Sequence, residues 1–206
     1  MREKIEDDTA NGYESFASDY MARRDQSRIG VATVRKWAGS LEPGTAILDL
    51  GCGHGVPVSR ALLDDGFTIY GVDASPSLAE AFGKRCPEGQ VVCEPVEKSS
   101  FFDRKFDAAL ASGLMFLLPA QAQRDLIAKV ALALNPGGRF LFSAPTEKGA
   151  WRDVLTGRES LSLGIEAYLT AISDAGLSLL AQHVDEGENH YYDTAKACLG
   201  RLTLSG

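Results

Sequence analysis

Two carboxylates and a run of alternating glycines are the first residues in this chain whose types and spacing could do chemistry. Asp49 stands two residues ahead of Gly51 in the stretch ILDLGCGHG, and Gly53 and Gly55 follow with Cys52 and His54 between them. An apolar strand running into such a turn lets backbone approach a ligand closely. A second acid, Asp73, closes the apolar run IYGVD, roughly 20 residues after the loop, where a ribose-binding carboxylate is expected. A dinucleotide loop would read G-x-G-x-x-G, and Val56 occupies the place of its third glycine. Asp49 would repel a pyrophosphate there and suits a cationic amino group instead. No Gly-Lys-Ser/Thr follows, so a P-loop is excluded. A nucleoside without phosphates that carries an amino-acid end fits both acids.

The elements that must position these residues can be read from periodicity. Tyr13, Phe16, Tyr20 and Met21 fall at helical spacing on one face, and Ile29 to Leu41 reads as a second helix with Val31, Val34 and Trp37 inward. Pro43 and Gly44 end it. Strands AILDL, FTIYGVD and QVVCEP then alternate with helices VPVSRALLDDG and SPSLAEAFGKRC, the latter with Ser75 as N-cap and Pro76 in its first turn. A short turn or helix over Val96–Phe102 leads to a fourth strand, FDAALASG. A long helix from Pro119 ends at Asn135-Pro136-Gly137-Gly138, before a fifth strand, RFLFSAP. Thr146 to Leu163 reads as an irregular polar excursion. A helix, GIEAYLTAISDAG, a sixth strand, LSLLAQHV, and a seventh, HYYDTAKACL, complete the order.

Strands alternating with helices require parallel crossovers. The expected fold is therefore α/β, a doubly wound Rossmann-like sheet of seven strands with helices on both faces. Six strands run parallel, and the DEGEN link is too short for a helix, so strand seven runs antiparallel inside the same sheet. One domain is expected over residues 1–206, with an N-terminal helical lid (1–40), a core (41–197) and a tail (198–206).

The 206 residues suffice for one sizeable core. Lys plus Arg number 21 and Asp plus Glu 28, for a net charge of −7, which lacks the basic footprint of a nucleic-acid binder. Neither a secretory signal nor an apolar run of membrane-spanning length is visible, so the expected location is cytoplasmic. The four cysteines show no metal-ligand spacing and no metal is expected.

Four motifs in order, ILDLGCGHG, YGVDAS, FDAALASG and LNPGGRFLF, resemble those of class I S-adenosylmethionine-dependent methyltransferases of the small-molecule type. The resemblance runs from Tyr13 to the seventh strand. It implies S-adenosylmethionine as the methyl donor, with Asp49, Gly51, Cys52 and Gly53 at its methionine end, Asp73 on the ribose, and Ala74 and Ser75 flanking the adenine. It also implies backbone contact from Val96 or Glu97, where Pro95 and Val96 depart from the family's acid and small residue. Ser112 and Gly113 would border the sulfonium, and Tyr20 or Arg24 of the N-terminal helix would reach the cofactor.

The turn after strand six lies at the carboxyl edge with the ligand, which nominates His190 and Tyr191 for the substrate pocket, with Glu186 and Glu188 beside them. Phe116 and Trp151 are further substrate candidates, and Arg152 and Arg158 lie in the excursion over the same edge. His54 reads as loop structure. The expected reaction is methyl transfer to an O, N or S nucleophile of a small molecule, with His190 as base if one is needed. An NAD-type oxidoreductase and a non-catalytic S-adenosylmethionine-binding protein are the alternatives. No nucleic-acid or membrane partner is expected, and the chain is expected to be a monomer or homodimer.

Overall fold

The computed structural model describes residues 10–198. A 3-10 turn at Tyr13–Phe16 leads into α1 (Ala17–Asp25), and α2 (Val31–Ala38) follows. The alternating part comprises β1 (Ala46–Leu50), α3 (Val58–Asp64), β2 (Thr68–Asp73), α4 (Pro76–Arg85), β3 (Gln90–Cys93), β4 (Phe106–Ala111), α5 (Ala120–Ala133) and β5 (Leu134–Ser143). A hairpin, β6 (Gly149–Arg152) with β7 (Glu159–Ser162), precedes α6 (Ile165–Asp174), β8 (Leu177–Val184) and β9 (His190–Lys196).

The main sheet has seven strands in the order β3-β2-β1-β4-β5-β9-β8. The pairs β3–β2, β2–β1, β1–β4 and β4–β5 are parallel, whereas β9 is antiparallel to both β5 and β8. The order reverses beside β1, so the carboxyl ends of β1 and β4 diverge there and leave a crevice. Both faces are buried, as a largely parallel sheet requires. Leu48 and Leu50 pack with α5 and α6, while Ile47 packs with α2, α3 and α4 on the other side. The same alternation sends Tyr192 to the α5–α6 side and Tyr191 to the α2–α4 side.

Several boundaries differ from the sequence reading. The N-terminal stripe is not one helix: it breaks at Phe16, which is 37% exposed rather than packed with Tyr13 and Tyr20. The second helix spans only Val31–Ala38, entered from Gly30 at φ 85°. α5 stops at Ala133, because Pro136 lacks an N–H and biases the chain before it toward extended backbone. β5 accordingly starts at Leu134 and takes in the Asn-Pro-Gly-Gly turn, with its register shifting at Phe106/Ala108. The polar excursion is an ordered hairpin; its first strand is exposed throughout, so it carries no apolar period to read. The first nine residues of the expected lid, and all of the expected tail but Cys198, lie outside the described residues.

Candidate active site

The carboxyl ends of the central strands and the β8–β9 turn surround a cavity of about 900 Å³. That is near the top of the range for a small-molecule site, so two ligands can share it. Its roof is held by side chains from three directions. Tyr13 donates its hydroxyl to Asp153 of the β6–β7 hairpin at 3.1 Å, and the second Asp153 oxygen accepts from Leu155 and Thr156 N–H at 2.9 and 2.7 Å. Glu14 takes the hydroxyl of Ser75 and both N–H and hydroxyl of Ser77, at 3.1 and 2.6 Å, at the start of α4. Asp25, at the end of α1, lies 2.9 Å from His54 Nε2 and accepts from Arg85 at 2.5 Å.

The glycine loop is shaped by close approach. Gly51 and Gly53 have φ of 67° and 57°, where side chains rarely sit. A Cβ on Gly51 would meet Leu114 at 3.1 Å, and one on Gly53 would meet the Tyr20 ring at 3.2 Å. Asp73 ties this loop to α4: one carboxylate oxygen accepts from Gly53 N–H at 2.7 Å and the other from Ser75 N–H at 2.9 Å. Burial nevertheless raises its pKa, since desolvation outweighs the two backbone donors.

Asp49 is only 4% exposed, and its one side-chain donor is the Ser59 hydroxyl at 2.5 Å. Desolvation pushes its carboxyl up to about 7, against the Ser59 bond, with the nearby Asp73 charge adding to the rise. Asp49 lines a small recess off the cavity together with Arg24, Tyr20 and Cys52. The Arg24 guanidinium has no hydrogen bond or ion pair to any described residue. One buried acid short of donors and one unpaired cation thus face the same recess. A zwitterionic amino-acid end supplies the ammonium and the carboxylate that these two groups lack, and Leu78, Pro95 and Val96 give apolar surface beyond Asp73 for a base. The residues therefore fit a nucleoside with an amino-acid end.

Where β4 ends, Ser112 Oγ lies 3.1 Å from the Tyr191 hydroxyl, which lies 3.2 Å from Asp185 Oδ2. Gly113 N–H donates to Ser143 Oγ at 2.7 Å. Tyr191 is 2% exposed, and burial pushes its phenol up to about 12, so it stays protonated at neutral pH.

Among the sequence-nominated residues, Tyr20, Arg24, Gly51, Gly53, Asp73 and Ala74 line the main cavity. Val96, Glu97, Ser112, Gly113, Phe116 and Tyr191 do so from the other strand ends. Asp49 and Cys52 border the recess instead, and burial raises the Cys52 thiol well above its ordinary range, so it is no thiolate. Ser75 does not line either space: fully buried, it caps α4 by accepting from Leu78 N–H. Trp151 stands outside the lining, tilted against Phe116 with ring centroids 5.6 Å apart. His190 is likewise absent from the lining, because Tyr191, its neighbour on the opposite face, takes that side of the strand. Glu186 accepts from Gly30 N–H at 3.3 Å, and Glu188 sits in the turn at φ 60°. His54 is fully buried behind the loop, where desolvation lowers its pKa. Tyr13 of the N-terminal stripe lines the cavity as well, and so do Asp185, Asn189, Leu114 and Ser143, which no motif marks. Asp185 was the nearest to recognition, as the first residue of the DEGEN link. No group of three or more potential metal ligands occurs among the described residues, and no described helix is long and apolar enough to cross a membrane.

Residues 47–138 match the family described as "Methyltransferase domain". Magnesium protoporphyrin IX methyltransferase (ChlM) from Synechocystis PCC 6803, solved with bound SAM, has a TM-score of 0.74 at 16% identity, covering 95% of this chain and 100% of that one. The 1,6-didemethyltoxoflavin-N1-methyltransferase of Burkholderia thailandensis has a TM-score of 0.70 at 19% identity, covering 91% and 88%. The [4+2]-cyclase SpnF has a TM-score of 0.66 at 16% identity, covering 82% and 81%. No curated protein matches the sequence.

Proposed function

We infer that this chain, which carries a methyltransferase domain over residues 47–138 on a class I methyltransferase fold, transfers a methyl group from S-adenosylmethionine to a small molecule. The single observation that carries this reading is the recess in which Asp49 and the unpaired Arg24 face a common space. Bound there, S-adenosylmethionine supplies a methyl group already activated on sulfonium. Asp49 holds the ammonium and Arg24 the carboxylate. Asp73 takes the ribose hydroxyls, and Pro95, Val96 and Leu78 give the adenine an apolar seat. Ser112 and Gly113 border the reacting methyl. The roof fixed by Tyr13, Glu14 and Asp25 keeps water out while the acceptor is aligned, which is most of the work such a transfer needs.

The solved relatives are named for acting on a porphyrin and a toxoflavin precursor, and a 900 Å³ cavity has room for a second ligand beside the cofactor. The net charge of −7 favours a metabolite over nucleic acid. We place the enzyme in the cytoplasm, as a monomer or homodimer. A dinucleotide oxidoreductase is disfavoured by the buried acid Asp49, which would oppose a pyrophosphate. The same fold occurs in a protein named as a [4+2]-cyclase, so a second reading is that this chain binds S-adenosylmethionine without transferring its methyl group. Incubation with S-adenosylmethionine and a metabolite panel separates the two. Release of S-adenosylhomocysteine supports transfer, and binding without release with every acceptor supports the second reading.

A further inference from the structure

Hydrogen-bond directions at the end of β4 restrict what can be methylated. Asp185 accepts through both oxygens: one takes Gly187 N–H at 2.8 Å and Asn189 N–H at 3.0 Å, and the Asn189 side-chain amide spans both at 3.0 Å. A carboxylate only accepts, so the Tyr191 proton must point to Asp185. Tyr191 has no second proton, so the bond to Ser112 is donated by Ser112. Both hydroxyl protons are committed within the protein. What Ser112 and Tyr191 have left to offer the cavity is lone pairs. The Tyr191 hydroxyl is held in place, since even a Cβ on Gly30 would come within 2.7 Å of it.

This pair of oxygens accepts hydrogen bonds and cannot donate them. It repels carboxylates and thiolates and favours a group bearing N–H or O–H. An alcohol would dock, but it must lose its proton to become a nucleophile, and the Asp185 oxygens are already taken by Gly187, Asn189 and Tyr191. A neutral amine both donates an N–H and keeps a lone pair for attack. The cavity's cations come from α1, from the β6–β7 hairpin and from Lys98, none of them from the strand ends where Ser112, Tyr191 and Asp185 meet. Phe116, Leu114, Leu117 and Leu161 supply apolar surface for the rest of the acceptor.

We propose that the methyl acceptor is a neutral amine on an apolar body, bound by its N–H to the Ser112–Tyr191 oxygens, with Asp185 as the residue that positions Tyr191. The proposal rests on the methyltransferase reading above. The nitrogen lone pair forms the new N–C bond while the C–S pair stays on sulfur; the positive charge passes to nitrogen, and the proton leaves to water.

The test uses the full chain and matched aryl compounds that differ only in bearing a ring amine, which is neutral at the assay pH, or an alcohol, thiol or carboxylate. Turnover is read as S-adenosylhomocysteine formed, and binding to the S-adenosylhomocysteine-loaded protein by calorimetry. Amines should bind and be methylated, with alcohols at least about tenfold lower in kcat/KM and carboxylates unbound. Tyr191→Phe should raise the amine KM about tenfold, with kcat less affected and S-adenosylhomocysteine affinity unchanged. Ser112→Ala, which leaves the Tyr191 packing intact, should raise the amine KM in the same way if Tyr191→Phe fails to fold. Preferred turnover of the alcohol or carboxylate overturns the proposal. So does failure of every amine to bind while S-adenosylhomocysteine still binds. Loss of S-adenosylhomocysteine binding by the unaltered protein would instead remove the methyltransferase reading on which the proposal rests.

Discussion

With the cofactor ammonium placed at Asp49 as proposed, cofactor binding should be a proton-releasing event. In the free protein its pKa stands at about 7, against an ordinary value of 3.8, chiefly because the group is buried. A cofactor ammonium beside it restores the ionised form, so binding below pH 7 must expel one proton. At one proton per ligand, affinity for S-adenosylhomocysteine should fall about 25-fold between about pH 7.5 and about pH 5.5. Asp49→Asn should weaken binding at pH 8 and abolish this slope. The same shift has a stability sign. An acid whose folded pKa lies above its unfolded value costs nothing while protonated below the unfolded value; the cost builds as pH rises above that value and is complete once pH has passed through the folded value. At about 1.4 kcal/mol per tenfold, the ionised Asp49 costs the free protein up to about 4 kcal/mol above pH 7. Asp49→Asn should therefore be the more stable protein at pH 8, by a few kcal/mol less whatever the charged Ser59 bond contributed. Calorimetric titration in buffers of different ionisation enthalpy counts the released proton directly, and thermal unfolding of both proteins at pH 5 and pH 8 gives the stability sign. A pH-independent affinity, or an unchanged slope in Asp49→Asn, refutes the placement of the ammonium at Asp49.

Three further outcomes follow from the same geometry. Gly53→Ala and Gly44→Ala both force alanine into positive φ, at a cost of about 1–2 kcal/mol each. Only the first brings a Cβ to 3.2 Å from Tyr20, so only Gly53→Ala should also lose S-adenosylhomocysteine affinity by calorimetry. Tyr13→Phe removes the bond to Asp153 that joins the N-terminal segment to the hairpin. It should cost about 1 kcal/mol and speed S-adenosylhomocysteine dissociation in stopped-flow measurements. His54→Asn should lower the melting temperature and leave the acceptor KM unchanged, because His54 joins the loop to Asp25 from outside the cavity. Burial depresses the His54 pKa, so its contribution to stability should begin to be lost below the unfolded histidine value near 6.5 and be gone once pH has fallen through the lower folded value.

The sheet was legible because its strands are apolar runs with clear breaks, and because a five-residue link between β8 and β9 admits only one relative direction. Positions that depend on neighbours along the chain were legible too: the Ser75 cap and the glycines at positive φ. What the sequence hid lies in contacts between distant residues. Glu14 and Ser75 are 61 positions apart, and Ser112 and Tyr191 are 79. Alternation placed His190 and Tyr191 on opposite faces, yet nothing local says which face meets the cavity; α2, packed on the Tyr191 side, decides it. The β6–β7 hairpin was hidden for a different reason. It pairs only with itself, its first strand is exposed throughout, and the buried positions of its second strand are serines, so no apolar period marks it.

Binding of S-adenosylhomocysteine compared with methylthioadenosine, the same nucleoside lacking the amino-acid end, probes the recess most directly. Contacts to a charged group contribute about 1.5–3 kcal/mol each, so losing both Asp49 and Arg24 partners should weaken binding at pH 8 by about 100-fold or more. A 1:1 titration of S-adenosylhomocysteine with that margin is the predicted result. Equal affinities for the two nucleosides, or no binding of either to folded protein, would contradict the assignment of this cavity to S-adenosylmethionine.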